Sequence, residues 1–470
     1  LAIGVNDTTG TASGRVQMTS HAPSTVPRVR VVVVNSDGGE VTMRCLESLR
    51  RLDWPRDALD VVVVDNASID GLVSLLQTEA PDIRVIESLT NTGHAGGCNQ
   101  ALRDLSGVDY VALLNHDAVV TRDWLHPLVD ALEADPALGA ANSKVLVDSP
   151  YVGFTIDTPT FEPPKQDDRS ELGVRISGIE LDGGPGNLIA DASFDGAYGV
   201  ESGPTEEPLF RWTRGHVEVR IPFAPDAQAP RVVRVRLAAE APKVVMVGTD
   251  EATSECKVAP EPAWFEVPLG PPYEILDNAG SLLVADGRAP GRGSLQRDVG
   301  QYDEPAEIFA WCGAAVLLST RFLRDVGIFD DRFYSRYEDA DLSWRGRLAG
   351  WRYTYVPESI VRKKRADDDS SDFSHLEDRN RLLVLVRNAP MPLVRDALSE
   401  YRKEVARVVR RDVLAPLRAG ARPRTKTVKQ QARALAGFGR RLPGVLVSRR
   451  RVRKKRSVDD VEILQGMVDR

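Results

Sequence analysis

The chain has 470 residues, 42% apolar and 27% charged, enough for two to four domains of roughly 100–200 residues each, so a single small binding module is excluded. Its four cysteines, Cys45, Cys98, Cys256 and Cys312, lie far apart with no CxxC pair; this argues against a disulfide framework or a cysteine-based zinc site and points to a reducing compartment. The net charge of −7 is unevenly split, because residues 395–456 carry 21 Lys and Arg against 4 Asp and Glu, a +17 segment on a −24 body.

That basic segment reads as a contact surface for anionic lipid, polyphosphate or nucleic acid, with a solvated helical tail as the alternative. No apolar run approaches the ~20 residues of a membrane-spanning helix. Residues 1–27, rich in Thr, Ser and Gly, are expected to be a disordered leader, with Met18 a candidate start.

From Arg28 the sequence alternates buried-strand and helix signals. Residues 29–34 are a β-branched run ended by Asn35-Ser36-Asp37-Gly38-Gly39, and apolar residues at 41, 45, 46, 49 and 52 then follow helical spacing. Residues 61–64 run into Asp65-Asn66-Ala67-Ser68, 84–86 follow, 110–114 end in Asn115-His116-Asp117, and Trp124, Leu125, Leu128, Val129 and Leu132 mark another helix. Strands without alternation, separated by helices, predict a parallel sheet covered on both faces, with ligands beyond the carboxyl ends of the strands. Those ends hold Asn35 and Asp37, Asp65 and Asn66, and Asn115 and Asp117.

Near residue 150 the pattern changes. Residues 151–272 are rich in Pro and Gly with short alternating segments at 217–221, 232–237, 244–247 and 264–267, which predicts an antiparallel β-sandwich inserted into the α/β domain. Strand and helix signals return at 314–318 and 320–326. Beyond Pro392 the chain reads as Arg-rich helices with breaks at 420–423 and 437–444.

Three clusters can carry chemistry. Asp65-Asn66-Ala67-Ser68 follows a buried strand directly, although a capped helix start explains it equally. Asn115-His116-Asp117 puts an acid at a strand end, a sparse oxygen site adequate for Mg²⁺ or Mn²⁺ held jointly by substrate phosphates; a β-turn is the structural alternative. The third runs over 329–345, where Asp330, Asp331, Glu338, Asp339 and Asp341 stand among aromatics, a combination suited to holding a sugar and removing a hydroxyl proton.

Taken together and in this order, with Asn91-Thr92-Gly93-His94-Ala95-Gly96-Gly97-Cys98-Asn99 and Trp311-Cys312-Gly313-Ala314-Ala315, these stretches resemble the family 2 glycosyltransferases with the GT-A fold, in particular the bacterial rhamnosyl- and galactofuranosyltransferase-like branch. The resemblance covers about 28–148 and 273–390. It implies a GT-A (Rossmann-like) nucleotide-sugar-binding half over 28–150, the inserted β-sandwich over 151–272, an acceptor and catalytic half over 273–390, and a basic helical region over 391–470.

Carried over by position, the resemblance implies that Asp65, with Asn66, Asn35 and Asp37, binds the nucleotide, and that Gly93, Gly96 and Asn99 let the chain pass close to the nucleoside. Asn115, His116 and Asp117 occupy the place of the DXD-type motif, so Asp117 would hold a divalent cation, Mg²⁺ or Mn²⁺, on the donor diphosphate. Asp339 matches the general base, with Glu338 beside it. Trp311, Cys312, Gly313 and Tyr337 would line the acceptor side. The activity implied is inverting transfer from a UDP- or dTDP-linked sugar to a cell-surface polysaccharide or lipid-linked glycan, by a cytoplasmic enzyme held through residues 395–456 to the anionic inner face of the membrane, with no nucleic acid partner.

The sequence departs from the pattern in two places. Asn115 replaces the usual first acid of the metal motif. Where many relatives have a His, Val361-Arg362-Lys363-Lys364-Arg365 stands; Lys363 or Arg365 would balance the diphosphate, and a plain basic loop is the alternative. Residues 367–371 are expected to form a lid or an acidic loop, and His375 a surface residue. Trp212, Tyr198 and Trp264 are core aromatics or a glycan platform. A non-catalytic glycan-binding scaffold and a sugar nucleotidyltransferase are the competing functions; the second lacks its Gly-rich phosphate loop after the first strand.

Overall fold

The computed structural model describes residues 26–163, 169–182, 184, 186–202, 209–249, 252–364 and 374–468. Nearly all of the expected leader, Arg365 and 367–371 lie outside the described residues.

The chain runs β1 (Val29–Asn35), α1 (Gly39–Arg50), β2 (Leu59–Asp65), α2 (Leu72–Glu79), β3 (Arg84–Glu87), α3 (Gly93–Leu102), β4 (Tyr110–Asn115), β5 (Ala118–Val120), α4 (Leu125–Ala134) and β6 (Leu138–Val147). A second sheet takes β7 (Tyr151–Asp157), β8 (Arg175–Leu181), β9 (Ser193–Ala197), β10 (Arg211–Pro222), β11 (Val232–Ala238), β12 (Lys243–Gly248), β13 (Thr253–Val258) and β14 (Ala263–Pro268). The first sheet then resumes with β15 (Leu276–Asn278), β16 (Ala306–Glu307), β17 (Ala315–Ser319), α5 (Thr320–Val326), α6 (Glu338–Leu348) and β18 (Arg352–Lys363). Helices α7 (Ser374–Asn388), α8 (Met391–Val409), α9 (Ala415–Arg418), α10 (Lys426–Lys455) and α11 (Asp460–Gln465) follow.

The first sheet has the order β16-β18-β6-β17-β4-β1-β2-β3, with β15 on β6 and β5 on β18. Every residue of β1 is buried, as a strand covered on both faces requires. Helices α1, α2 and α4 cover one face through Leu46, Leu72 and Leu128, and α3, α5 and α6 the other through Cys98, Phe322 and Leu342. The register pairs Asn35 with Asp65 and Val34 with Asn115, so the polar strand ends stand side by side on one rim.

The sheet is mixed rather than parallel throughout. β17 runs antiparallel between β4 and β6, because the chain re-enters after β14 and returns through the middle of the sheet. Two strands carry no clear signal: β6 is built largely of small and polar residues, with Asn142, Ser143 and Lys144 buried, and β18 contains Pro357 and shifts register between Val356 and Ile360.

All pairings of the second sheet are antiparallel, in the order β13-β12-β7-β10-β8-β11-β14. β10 alternates between a buried face of Val217, Val219 and Ile221 and a more exposed one. Trp212 is buried edge-on to Phe161 and presents no free face, whereas Tyr198 and Trp264 each lie under an arginine.

The C-terminal region is helical, but α10 continues unbroken through Gly437, Gly439, Pro443 and Gly444. Packing overrides local propensity here: a side chain at Gly437 would meet Arg379 and one at Gly444 would meet Arg332, so these glycines allow close approach. The break at 420–423 is present. Among the described residues no helix is long and apolar enough to cross a membrane.

Candidate active site

The rim formed by β1, β2 and β4 is pre-ordered by side chains. Asn35 Nδ2 donates to Asp65 Oδ1 (3.1 Å) and Ser68 Oγ (2.9 Å), while its Oδ1 accepts from Gly38 N (3.1 Å) and Thr42 Oγ1 (2.7 Å). Asp65 Oδ2 also accepts from Ser68 N (3.1 Å). Asp37, exposed and in the left-handed region at φ 54°, accepts from Ile69 N (2.8 Å). The first two strand ends and the loop after β2 are therefore tied into one unit.

Asn66 turns the other way. Its Nδ2 donates to Asn91 Oδ1 (3.0 Å) and Gly93 O (3.1 Å), and its Oδ1 accepts from Thr92 N (2.9 Å); the whole amide holds the start of α3. The glycines of that helix make room for protein. At Gly93, φ 72°, an added Cβ would lie 2.2 Å from Tyr334 O; at Gly96 it would press on Thr92; at Gly97, which sequence reasoning left without a role, it would press on Val34. Asn99 is buried and clasps the 329–331 turn, donating to Phe329 O (2.9 Å) and Asp331 Oδ1 (2.5 Å) and accepting from Phe329 N (3.1 Å). The Asn91–Asn99 stretch thus acts as a hinge-plate between the rim and the later acidic loop.

Asn115, His116 and Asp117 follow β4. Asn115 N donates to Ala314 O (2.9 Å), which fixes this turn against the start of β17. Asp117 Oδ1 is buried without a hydrogen-bond partner, an unsatisfied acceptor of the kind a cation would satisfy. Lys363, opposite Ala118 across the β18–β5 pair, places Nζ 3.7 Å from Asp277 Oδ1. Burial raises the Asp277 pKa, Lys363 opposes that shift and Asp117 adds to it; burial also lowers that of His116, Asp117 opposing and His94 and Lys363 reinforcing. These mutual influences put Asp117, His116, Asp277 and Lys363 in one electrostatic neighbourhood. Asp277 sits in a three-residue strand with no motif around it, and only its pairing to β6 brings it here. Among the described residues no group of three or more His, Cys, Asp or Glu side chains is arranged to hold a metal alone, so a cation here would take Asp117 and ligands from the substrate.

The other wall is the start of α6. Asp339 Oδ2 accepts from Gly313 N (3.2 Å) and its Oδ1 from Ala340 N (2.7 Å). Burial raises the Asp339 pKa against these two bonds, and burial together with Asp339 raises that of Glu338, whose Oε2 is buried without a partner. His94 also faces this point: its Nε2 and Asp339 Oδ2 each lie 3.9 Å from where a Gly313 side chain would begin. Burial works against the His94 charge, but Cys98 and Asp339 outweigh it and raise its pKa. His94 lay unnoticed inside a glycine-rich stretch. Cys312, whose N donates to the buried Asn142 Oδ1 (2.7 Å), has its thiol pKa pushed up to about 12 by burial, with Asp339 adding; it is an inert wall rather than a nucleophile.

The loop before α6 is held in an unusual shape. Tyr334, Arg336 and Tyr337 have φ of 66°, 70° and 69°, each costing on the order of 1–2 kcal/mol for a residue with a side chain. The buried Asn380 of α7 offsets this by donating to Phe333 O (3.0 Å), Ser335 O (2.9 Å) and Arg336 O (2.7 Å), and Arg379 adds a bond to Phe333 O (2.8 Å). Strain retained this way is characteristic of functional loops.

Of the five acids in this region, Asp330 and Asp341 are paired with Arg332, Arg345 and Arg387, and Asp331 with Asn99. Asp331, Glu338 and Asp339 form no ion pair among the described residues, and of these three Asp331 is taken up by Asn99. Trp311 is fully buried with its ring edge-on to Phe329, so it supports the cleft from the core rather than lining it. Tyr337 is half-buried beside the helical region, its hydroxyl pKa raised to about 12 by burial. His375 lies in the first turn of α7, half-buried.

Comparisons with known proteins bear on the rim side. Residues 29–161 match the model of the family described as Glycosyl transferase family 2. A "Beta-monoglucosyldiacylglycerol synthase" of Synechocystis sp. is 28% identical over 133 residues, which is 27% of this chain and 27% of that protein, so the chain spans about a quarter of the curated relative it matches. Among solved structures, GalNAc-T7 with UDP, GalNAc and Mn²⁺ aligns over 77% of this chain and 48% of its own at 12% identity and TM-score 0.43. The mannosyltransferase PcManGT from Pyrobaculum calidifontis in complex with GDP-Man and Mn²⁺ aligns over 94% and 87% at 15% identity and TM-score 0.38. The stretch from β1 to the start of the second sheet, carrying Asn35, Asp65 and Asp117, is thus the part of the chain that is similar to the glycosyl transferase family 2 model.

Proposed function

We propose that the protein is an inverting glycosyltransferase that moves a sugar from a nucleotide-sugar donor to a hydroxyl of a cell-surface polysaccharide or lipid-linked glycan. The observation that carries the reading is a short chain of bonds between the two acidic turns: Asn115, two residues before Asp117, is bonded to Ala314, next to Gly313, and Gly313 is bonded to Asp339. In this reading the acid for the departing diphosphate and the acid for the incoming alcohol face one cleft.

In this reading the Asn35–Asp65 pair receives the nucleotide base. Lys363 faces the diphosphate and offsets its charge, with Asp277 keeping the ammonium in place. Asp117 fits a divalent cation, Mg²⁺ or Mn²⁺, through its unpartnered buried oxygen, and such a cation supplies charge neutralisation for the leaving diphosphate. Asp339 takes the acceptor's proton as its oxygen attacks, and Gly313 N holds the carboxylate in line. Burial and the neighbouring Asp339 raise the pKa of Glu338, so the two carboxyls disfavour bearing charge together. The product carries the opposite anomeric configuration because one displacement occurs.

A thermal-shift panel of UDP-, dTDP- and GDP-sugars with Mn²⁺, Mg²⁺ or EDTA tests the donor side. One nucleotide class is expected to stabilise the protein, and Asp117→Asn to weaken the metal-dependent part by about tenfold or more. No stabilisation by any member would reject the reading.

The basic segment over 395–456 fits peripheral attachment to an anionic leaflet on the cytoplasmic side, each Lys or Arg adding about 1 kcal/mol near the surface. Sedimentation with phosphatidylglycerol vesicles should fall steeply as salt rises; salt-independent binding would speak against electrostatic attachment.

A further inference from the structure

The packing of α10 on α6 and α7 concentrates arginines beyond the number of acids that meet them. Arg387 shares Asp330 and Asp341 with Arg332 and Arg345. In this region three buried guanidinium N–H groups have no acceptor among the described residues: Arg387 Nε, Arg441 Nη1 and Arg449 Nη2. Burial, reinforced by Arg441 and Arg440, lowers the Arg379 pKa to about 10, and burial also lowers those of Arg441 and Arg449. Buried unpaired donors of a cation are costly, and a fold retains them where an anion completes the set.

Arg387, one of the three, lines a cavity of about 540 Å³ between α6 and α10, with Arg332, Arg345, Arg451 and Lys455 also in its wall and apolar surface, such as Val452, between them. The carboxylates within reach of these five cations are Asp330, Asp341 and Asp325, so the wall remains positive. Arg451 is exposed and forms no ion pair among the described residues. The forked donors of arginine match phosphate as well as carboxylate oxygens, and several of them around one cavity suit the greater charge and the three acceptor oxygens of a phosphate group.

We propose that this cavity is a binding site for a phosphate group, separate from the donor cleft. The proposal is independent of the transferase reading, since it uses none of the rim residues. Its occupant is coupled to the site nonetheless: Arg345 and Arg387 are the residues that hold Asp341 in the first turn of α6, two positions from Asp339.

Titration calorimetry of the full chain with pyrophosphate and with inorganic phosphate, repeated in saturating nucleoside diphosphate, tests it alongside flotation on phosphatidylglycerol and phosphatidylcholine vesicles. Pyrophosphate is expected to bind at one site outside the donor cleft, about tenfold more weakly in Arg451→Glu and within twofold of wild type in Arg231→Glu, an exposed position just before β11. The same ranking on phosphatidylglycerol vesicles would identify a lipid headgroup as the source; the ranking with pyrophosphate alone would identify a soluble phosphate. Absence of phosphate binding, or binding that Arg451→Glu leaves unchanged or that both variants weaken equally, would overturn the site. Failure of nucleotides to bind would instead strike the donor reading and leave this one standing.

Discussion

Asp339→Asn should leave donor binding within about twofold and cut transfer by roughly 10²–10⁴-fold, the range ordinarily lost with a positioned general base. The amide fills the same space and can still accept from Gly313 N, so the cleft keeps its shape while the proton acceptor is gone. Since burial raises the Asp339 pKa, the acid limb of kcat/KM in the wild type should fall at a pH above the ordinary carboxylate range, and that limb should vanish with the variant's residual activity. Progress curves with a radiolabelled donor measure both. Turnover unchanged in Asp339→Asn would remove this residue as the base, and a retained anomeric configuration in the product would remove the single displacement.

Asp341→Ala should be among the most destabilising single changes outside the main sheet. Asp341 is fully buried and accepts from Arg345 Nε (2.8 Å), Arg387 Nη1 (3.0 Å) and Asn388 Nδ2 (3.0 Å). Truncating it leaves the buried Arg345 guanidinium without a carboxylate and Arg387 with Asp330 alone, a loss of about 3–5 kcal/mol. Urea unfolding followed by the fluorescence of Trp344, buried on the same helix, would report it; a shift under about 1 kcal/mol would show that the network contributes little. Asp330 gives this cluster a pH signature. Burial acts to raise its pKa, but Arg332 and Arg387 outweigh that and lower it to about 2. Its stabilising contribution is therefore complete above the ordinary value near 3.8 and disappears as the pH falls from there toward 2.

Much of the α/β architecture is legible because it depends on residues with one plausible use. The valine run of β1 can only be a doubly covered strand, and the polar residues ending β1, β2 and β4 fall on one rim by register alone. What escapes is what depends on meetings across the chain. β6 is buried with a core of Ala, Asn and Ser, residues that carry no strand signature. Asp277 reaches this neighbourhood through sheet pairing rather than through any motif, and His94, inside the Asn91–Asn99 motif, reaches it through the packing of α3. Conversely, Asn66, Gly93, Gly96 and Asn99 show how a conspicuous motif can serve architecture: each is spent on protein contacts, and the cleft's two walls are joined through them. Trp311 marks the same limit, since its position in sequence beside Gly313 does not reveal that its ring points into the core.

The clamp of Asn380 and Arg379 on the left-handed turn before α6 has a consequence for how the protein matures. The polar ends of β1, β2 and β4 are made early, whereas the base-bearing turn, which Asn99 clasps at 329–331, lacks the bonds from Asn380 and Arg379 until a helix about forty residues further along is made. A nascent chain halted just short of α7 should therefore grip nucleotide yet be unable to spend it, and competence should arrive abruptly with that helix, a late licensing step in synthesis.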